Sequence, residues 1–180
     1  MGAWVREYLF GTLVAYSIAL GGSLRFTAAL ASEERSTDDD HGVIVELAAT
    51  GEREMSGRSS HLGPTVGVEI EAIEGWLEVE FGATTYKSHG STNWELELPF
   101  KKPFRLSDTV EMMPGLGPTW SHMTQSGQHP SAWGAEAVVD FFFRRTQHVG
   151  WYLEPSYAVA LGNGNNKSVS LAAGIFFAVP

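Results

Sequence analysis

Two adjacent stretches of this chain alternate strictly between apolar residues and acidic or small ones. Residues 66–72 read VGVEIEA and residues 77–83 read LEVEFGA, with four residues between them. A period of two is the pattern of β-strands, whose successive side chains point to opposite faces. Any fold of this chain must therefore accommodate a β-hairpin that has two chemically different faces.

A two-residue loop at Glu74-Gly75 would fix the register of this hairpin. It pairs Ala72 with Leu77, Ile70 with Val79, Val68 with Phe81 and Val66 with Ala83, which makes one face wholly apolar. The other face sets Glu71 opposite Glu78 and Glu69 opposite Glu80. Because directly opposed like charges are unfavourable in an ordinary sheet, the acidic face requires a special environment.

The first residues have the features of an export signal. Arg6 precedes an apolar run over residues 9–20, and Ala29-Leu30-Ala31 is typical of a cleavage site. We therefore predict a signal peptide over residues 1–31, with an N-terminal amphipathic helix as the alternative. Residues 32–41 (SEERSTDDDH) predict a disordered acidic lead-in, and residues 42–180 predict a single domain.

Composition excludes several classes of function. The chain has 21 acidic and 12 basic residues and a net charge of −9, which makes a nucleic acid an improbable partner. It contains no cysteine, so it has neither disulfides nor thiol chemistry.

Beyond the lead-in, strand-like segments alternate with turn residues. We predict eight strands, over residues 42–54, 62–73, 76–87, 92–106, 109–123, 131–146, 149–162 and 167–179. Each is about as long as a tilted membrane strand. Tight turns are predicted to alternate with longer polar connections, so that all the longer ones share one end. The sequence thus predicts an all-β fold, an eight-stranded antiparallel up-and-down barrel.

The two faces of such a barrel can be arranged in two ways. A soluble periplasmic barrel that binds an apolar ligand would turn the apolar face inward, whereas a transmembrane barrel would turn it outward. The export signal, the unequal connections and the aromatic residues near strand ends favour the transmembrane barrel. The charged face also favours it, because that face is mostly Glu, Gly and Ser with few long basic side chains.

The whole region after the signal resembles the small eight-stranded outer-membrane barrels of Gram-negative bacteria, of the OmpX/OmpA type or OmpW-like. The resemblance rests on the hairpin, on WELELPFKKPF and GLGPTW, on VGWYLEPSYAVALG and on the closing segment SVSLAAGIFFAV. It implies a monomer in the outer membrane that contacts outer-membrane lipid and lipopolysaccharide and is inserted by the barrel-assembly machinery. The implied role is structural or interactive.

The predicted site is a network of charged side chains that fills and closes the lumen, since small barrels have side-chain-filled interiors. Its members are Glu69, Glu71, Glu78, Glu80, Glu95, Glu97, Lys101, Glu136, Asp140, Arg144 and Glu154. Because acids outnumber bases, a cation site or a narrow acidic pathway is the functional alternative. We predict no catalytic residue and no cofactor.

Four histidines in or beside the longer connections are weak candidates for a metal site: His61, His89, His122 and His129. An enzyme that modifies lipid, similar to a lipid A deacylase or acyltransferase, is the main alternative to a structural barrel. No histidine and serine share one strand face with an acidic partner, so the sequence favours a protein without catalysis.

Overall fold

The computed structural model describes residues 42–57, 59–88, 90–125, 130–146, 148–161 and 166–179. The predicted signal peptide over residues 1–31 and the lead-in over residues 32–41 lie outside these described residues. No helix in the described ranges is long and apolar enough to cross a membrane.

The described chain is built from strands that follow one another around a closed sheet. They are β1 (Val43–Glu54), β2 (Ser60–Ile73), β3 (Leu77–Ser88), β4 (Ser91–Glu97), β5 (Phe100–Lys101), β6 (Phe104–Ser107), β7 (Val110–Gln125), β8 (Ser131–Arg144), β9 (Val149–Leu161) and β10 (Lys167–Val179). All pairings are antiparallel, and β1 closes the sheet by pairing with β10. Since β4, β5 and β6 together form the fourth strand, the predicted eight-stranded barrel is confirmed.

The strand register determines how wide the barrel is. Starting at Val43 and stepping from partner to partner around the sheet, the register returns to β1 at Arg53, ten residues further along. An eight-stranded barrel with this stagger has tilted strands and an interior that side chains can fill. The lumen is therefore a packed space, and its residues must satisfy one another.

The predicted first hairpin is confirmed over most of its length. Val68 pairs with Phe81 and Glu69 with Glu80, as the alternation requires. The two-residue loop was wrong, however: Leu77 pairs with Ile73, and a register shift leaves Ala72 without the predicted partner. The turn therefore spans three residues, 74–76. Gly75 adopts a positive φ of 61°, which is typical of a three-residue hairpin loop next to a bulge.

Two prolines interrupt the fourth strand, which the sequence predicted as continuous. Pro99 separates β4 from β5, and Pro103 separates β5 from β6. Proline has no N–H group to give to a β-ladder. The sheet stays closed here because the Pro99 carbonyl accepts a hydrogen bond of 3.1 Å from the backbone N–H of Glu80.

The connections at the two ends of the barrel are more alike in length than predicted. At the end of the barrel that we call the loop end, strand bounds leave residues 55–59, 89–90, 126–130 and 162–166 as connections. At the opposite end, the turn end, they leave residues 74–76, 108–109 and 145–148. The predicted contrast between long and tight connections is therefore wrong for residues 89–90. There β3 and β4 extend into the polar segment and leave only two residues between them.

The apolar face of the sheet points outward. Large hydrophobic side chains on every long strand are exposed, among them Leu62 at 73%, Phe81 at 53%, Leu116 at 68% and Trp133 at 63%. Together they form a continuous apolar belt, far larger than the isolated hydrophobic residues on ordinary soluble surfaces. This arrangement is the reverse of a soluble barrel that holds an apolar ligand.

Part of the lumen toward the turn end is apolar and aromatic. Phe142 lies at the centre of this layer, stacked on Tyr152 with ring centroids 5.5 Å apart and meeting the edge of Phe176 at 4.8 Å. Ile44 and Met113 complete the layer, and all five side chains are buried. Along their strands, Ile44, Phe142 and Tyr152 lie on the turn-end side of Glu46, Asp140 and Glu154, which are described below.

Candidate functional site in the barrel lumen

Lys101 is the centre of the charged part of the lumen. It lies on the two-residue strand β5 and is fully buried. Its Nζ contacts a Glu69 carboxylate oxygen at 3.1 Å, and it also contacts Glu80 and Asp140. A fourth carboxylate, that of Glu154, has an oxygen 3.7 Å away. Because these partners come from β2, β3, β8 and β9, the cluster ties opposite walls of the barrel together.

The carboxylates around Lys101 exceed the charge that one ammonium can balance. Glu46, Glu69, Glu80, Asp140 and Glu154 are all buried, and Lys101 is the only buried lysine in the described part of the chain. One oxygen each of Glu46, Glu69 and Asp140 has no hydrogen-bond partner. Isolated buried carboxylates are costly, so this cluster needs additional positive charge or bound protons.

An acidic cavity lies between this cluster and the loop end. It is narrow and partly open to solvent, and we call it the vestibule. Its lining includes the carboxylates Glu52, Glu95, Glu97, Glu136 and Glu154. Glu97 and Glu136 are hydrogen-bonded to each other, and one buried oxygen of Glu136 has no partner.

Hydroxyl groups cover much of the remaining vestibule wall. The Thr65 hydroxyl is 2.5 Å from that of Thr50 and 2.7 Å from that of Thr84, so one row of hydroxyls crosses three strands. Ser156 and Ser170 form a similar pair at 2.5 Å on the β9–β10 side. These short polar side chains leave room beside the carboxylates for water or a small ion.

The other predicted network members lie nearer the turn end. Arg144 donates a hydrogen bond of 3.0 Å to Glu111, and its guanidinium group lies 5.6 Å from the Phe176 ring centre. Glu78 is buried and hydrogen-bonded to Glu69, whereas Glu71 is partly exposed and accepts a hydrogen bond from the Gly75 N–H. The predicted residues thus occupy the Lys101 cluster, the vestibule and the turn end, with Glu154 shared by the first two and Glu78 bonded to the cluster.

The four candidate histidines do not form a described cluster. His61 lies beside Tyr86 in the lumen, with ring centres 6.0 Å apart, and is paired in register with Glu52. His122 lies on the opposite, outer face of the wall. His89 and His129 fall outside the described residues. Among the described residues, the groups of three side chains able to share a metal ion consist of carboxylates: Glu46, Glu80 and Glu154, and Glu69, Glu80 and Asp140.

His122 takes part in a second arrangement, on the outer surface near the loop end. Its Nδ1 is 2.8 Å from the Ser131 hydroxyl on the neighbouring strand β8. Its ring stacks on Trp120 with centroids 5.6 Å apart, and the register places Trp94 directly beside it. The prediction concerned a histidine and a serine on one strand face with an acidic partner, whereas this pair forms between two strands.

Comparison with known proteins gives the architecture a context. No protein-family profile matches the sequence, and no curated protein matches it. Among solved structures, the chain is similar to Neisserial surface protein A, with 15% identity and a TM-score of 0.61, covering 76% of this chain and 96% of that one. The fold is that of small outer-membrane barrels.

Two further structures are similar at the level of the fold. The N-terminal barrel domain of Pseudomonas aeruginosa OprF has 14% identity and a TM-score of 0.53, covering 74% of this chain and 97% of that domain. The outer membrane enzyme PagL has 11% identity and a TM-score of 0.51, covering 74% and 99%. Barrels of this fold therefore include both a surface protein and an outer membrane enzyme.

The predicted lumen network did not include two residues that the structure places at the site. Glu46 is 1% exposed and lies among the carboxylates of the cluster, although its position in the alternation already puts it on the inner face. Tyr152 is buried next to it, and its hydroxyl donates a hydrogen bond to Glu46. The signal for Tyr152 was its position next to outward-facing Trp151, since neighbours on a strand face opposite ways.

Proposed function

We propose that this protein is an integral outer-membrane barrel with a structural or interaction role and a lumen that solutes do not cross. The observation that carries the proposal is the combination of an outward apolar belt with a charged, buried lumen. In water such a belt would cause association, whereas lipid satisfies it. Charged groups on the lipid side would be costly, and the lumen gives them a place away from lipid.

The aromatic residues support this placement in a membrane. Exposed tryptophans occur near both ends of the barrel: Trp94 and Trp133 near the loop end, and Trp76 and Trp151 near the turn end. Tryptophan is enriched at both interfaces of a membrane, where its ring meets the headgroups. We propose outer-membrane lipid and lipopolysaccharide as the contacts of this belt, a monomeric state, and insertion by the barrel-assembly machinery.

A first experiment tests the membrane barrel itself. The chain is expressed in a Gram-negative host, and the outer-membrane fraction is run on a denaturing gel with and without boiling. We expect the protein in that fraction and a change of mobility on boiling, because a closed barrel resists the detergent until it is heated. Soluble periplasmic protein without a mobility change would contradict the proposal.

A second experiment tests the closed lumen. The purified barrel is added to planar lipid bilayers, and the current is recorded under an applied voltage. The aromatic layer around Phe142 and the ion pairs of Lys101 obstruct the lumen in succession, so we expect no stable conductance. Steady single-channel steps from the unaltered protein would show an open pathway and overturn this part of the proposal.

A second candidate function is a lipid-modifying enzyme that acts at the outer rim. The observation that favours it is the contact between His122 and Ser131, which lies among tryptophans on the surface that would meet the membrane interface. In an acyl transfer, the Ser131 oxygen would attack an ester carbonyl while His122 takes the hydroxyl proton. His122 would return that proton to the departing alcohol, and water would then hydrolyse the acyl–serine ester.

This candidate is tested by lipid analysis. Lipid A from cells that express the protein is compared by mass spectrometry with lipid A from cells that express Ser131→Ala or His122→Ala. An acyl-chain change that requires both residues, and survives the control Ser60→Ala at the same rim, would support the enzyme. Lipid A that is identical in all strains would exclude this activity on lipid A.

A further inference from the structure

The carboxylates of the Lys101 cluster are not equivalent. An ammonium group has three N–H donors. Those of Lys101 are matched by three close carboxylates, from Glu69, Glu80 and Asp140. Glu154 is more distant, at 3.7 Å, and no described ion pair reaches Glu46. The buried carboxylates of Glu46 on β1 and Glu154 on β9 are therefore poorly neutralised by Lys101.

Glu46 provides a separate sign of a missing partner. The side chain is 1% exposed, so bulk water does not solvate it. Tyr152 donates a hydrogen bond to the Glu46 carboxylate, yet the Oε1 atom of Glu46 has no hydrogen-bond partner. A buried, unpartnered carboxylate oxygen costs free energy unless something positive or a donor occupies the space in front of it.

We propose that Glu46, Glu80 and Glu154 bind a divalent cation, Ca²⁺, at the floor of the vestibule. One oxygen from each residue lies within 4.8 Å of the others. Two oxygens on opposite sides of a Ca²⁺ ion, each about 2.3–2.6 Å from it, are about 5 Å apart, so the three residues fit one coordination sphere. Mg²⁺ requires a stricter octahedron and gives up its water molecules reluctantly, so a group of carboxylates fixed on the barrel wall favours Ca²⁺.

The vestibule gives the ion a route to the site. Glu154 belongs both to this group of three and to the vestibule lining, so the site opens toward the loop end. The vestibule carboxylates Glu52, Glu95, Glu97 and Glu136 would attract cations, and its hydroxyl groups leave space for water. Water molecules can supply the remaining oxygen ligands, since Ca²⁺ takes six to eight. On the turn-end side, the site is bordered by the buried Phe142 layer.

Binding of the ion should stabilise the folded barrel, because the ion balances the charge of buried carboxylates. A divalent cation would offset the charge of Glu46 and Glu154, and Lys101 would offset part of the rest. Anything that binds the folded barrel and not the unfolded chain raises the melting temperature in proportion to the logarithm of its concentration. The barrel should therefore be more resistant to heat in Ca²⁺ than in a chelator.

The test uses the full barrel purified in detergent. Ca²⁺ binding is measured by calorimetric titration, and the melting temperature is measured by the boiling-dependent gel shift in Ca²⁺ or in EDTA. We expect one bound ion and a higher melting temperature in Ca²⁺. Glu46→Gln and Glu154→Gln should each weaken binding by about tenfold or more, because each removes a charged ligand. Glu71→Gln, at the turn end, is the matched control and should bind normally.

Several outcomes would overturn the proposal. One is a wild-type barrel that shows no heat of Ca²⁺ binding and melts identically in Ca²⁺ and EDTA; protons would then balance the cluster. Another is equal weakening by Glu71→Gln and Glu154→Gln, which would indicate general charge attraction. If a variant does not fold, the wild-type melting comparison still decides between a bound ion and none. Neither readout depends on where the protein resides in the cell.

Discussion

At the scale of single residues, Lys101 is the side chain on which the lumen most depends. It is fully buried and contacts carboxylates from opposite walls. Removing one partner of a buried ion pair leaves uncompensated charge and costs about 3–5 kcal/mol. We therefore expect Lys101→Met to lower the free energy of unfolding by about that amount, as measured by urea titration of the barrel in lipid vesicles.

A lysine outside the lumen serves as the control for this measurement. Lys87 is exposed near the loop end, so Lys87→Met should change the free energy of unfolding by no more than about 0.5 kcal/mol. If the two variants unfold at the same urea concentration, then Lys101 is not needed to balance the buried carboxylates.

The sequence predicted part of the Lys101 site for a clear reason. Alternation and strand register are local, so Lys101 could be placed opposite Glu78, and that pairing is observed. Lys101 also contacts Glu69 on β2 and Asp140 on β8 across the lumen. Neither strand is paired with β5, so strand register alone could not predict these contacts. The His122–Ser131 contact escaped prediction similarly, because it depends on the β7–β8 register, which no short turn in the sequence determines.

At the scale of elements, the pairing of β1 with β10 makes a prediction about close packing. Gly174 on β10 faces Ala48 on β1, and a Cβ atom at Gly174 would lie 2.8 Å from the Ala48 Cα. The two strands would have to separate to accept it. We expect Gly174→Ala to destabilise the barrel by about 1–3 kcal/mol, as for other overpacked sites, in the same urea titration.

The matched control lies on the partner strand. A Cβ atom at Gly51 would meet only the Leu62 side chain, at 4.0 Å, within the 4 Å searched among the described residues. Because alanine also reduces the freedom of the unfolded chain, Gly51→Ala should be neutral or stabilising by up to about 1 kcal/mol. Equal effects of the two substitutions would mean that the β1–β10 contact is not tight.

Strand positions were predictable from the sequence, whereas strand irregularities were predictable only in part. The predicted segments over residues 149–162 and 167–179 match β9 and β10 to within one residue at either end. The bulge beside Ile73 could not be inferred, because it depends on the positive φ of Gly75. The division of the fourth strand could have been inferred, since Pro99 and Pro103 are both present in the sequence and cannot donate to a ladder.

At the scale of the whole molecule, the apolar belt predicts a response to charge that varies with depth. Phe81 lies near the middle of β3 and Leu62 near the loop end of β2, and both are exposed. An arginine facing lipid costs about 2–4 kcal/mol at the membrane midplane and about 0–1 kcal/mol near an interface. Phe81→Arg should therefore reduce folding stability in lipid vesicles far more than Leu62→Arg.

Measuring both variants in vesicles and in detergent separates lipid contact from packing. The difference between Phe81→Arg and Leu62→Arg should shrink in detergent, because micelles adapt to a charged side chain. If the two variants differ in stability by the same amount in vesicles and in detergent, then Phe81 packs against protein and does not belong to the lipid-facing belt.

The orientation of the whole sheet was the most predictable property, since a strict alternation specifies both faces at once. The aromatic layer of the lumen was harder to infer. Residues 141–143 are three consecutive phenylalanines, so alternation is lost there, and Phe142 faces the lumen while its neighbours face outward. The layer becomes visible only when β8, β9 and β10 are assembled and Phe142 meets Tyr152 and Phe176.

The pairing of β1 with β10 also bears on how quickly the protein can fold. This seam joins Val43 to Val179, so almost the whole described chain separates the two partners. Contacts between residues so distant along the chain form slowly, and both edge strands stay unpaired until they form. We expect the chain to be complete before its last hydrogen-bonded ladder can form. During that interval we expect its exposed apolar side chains to need a chaperone that keeps them from aggregating.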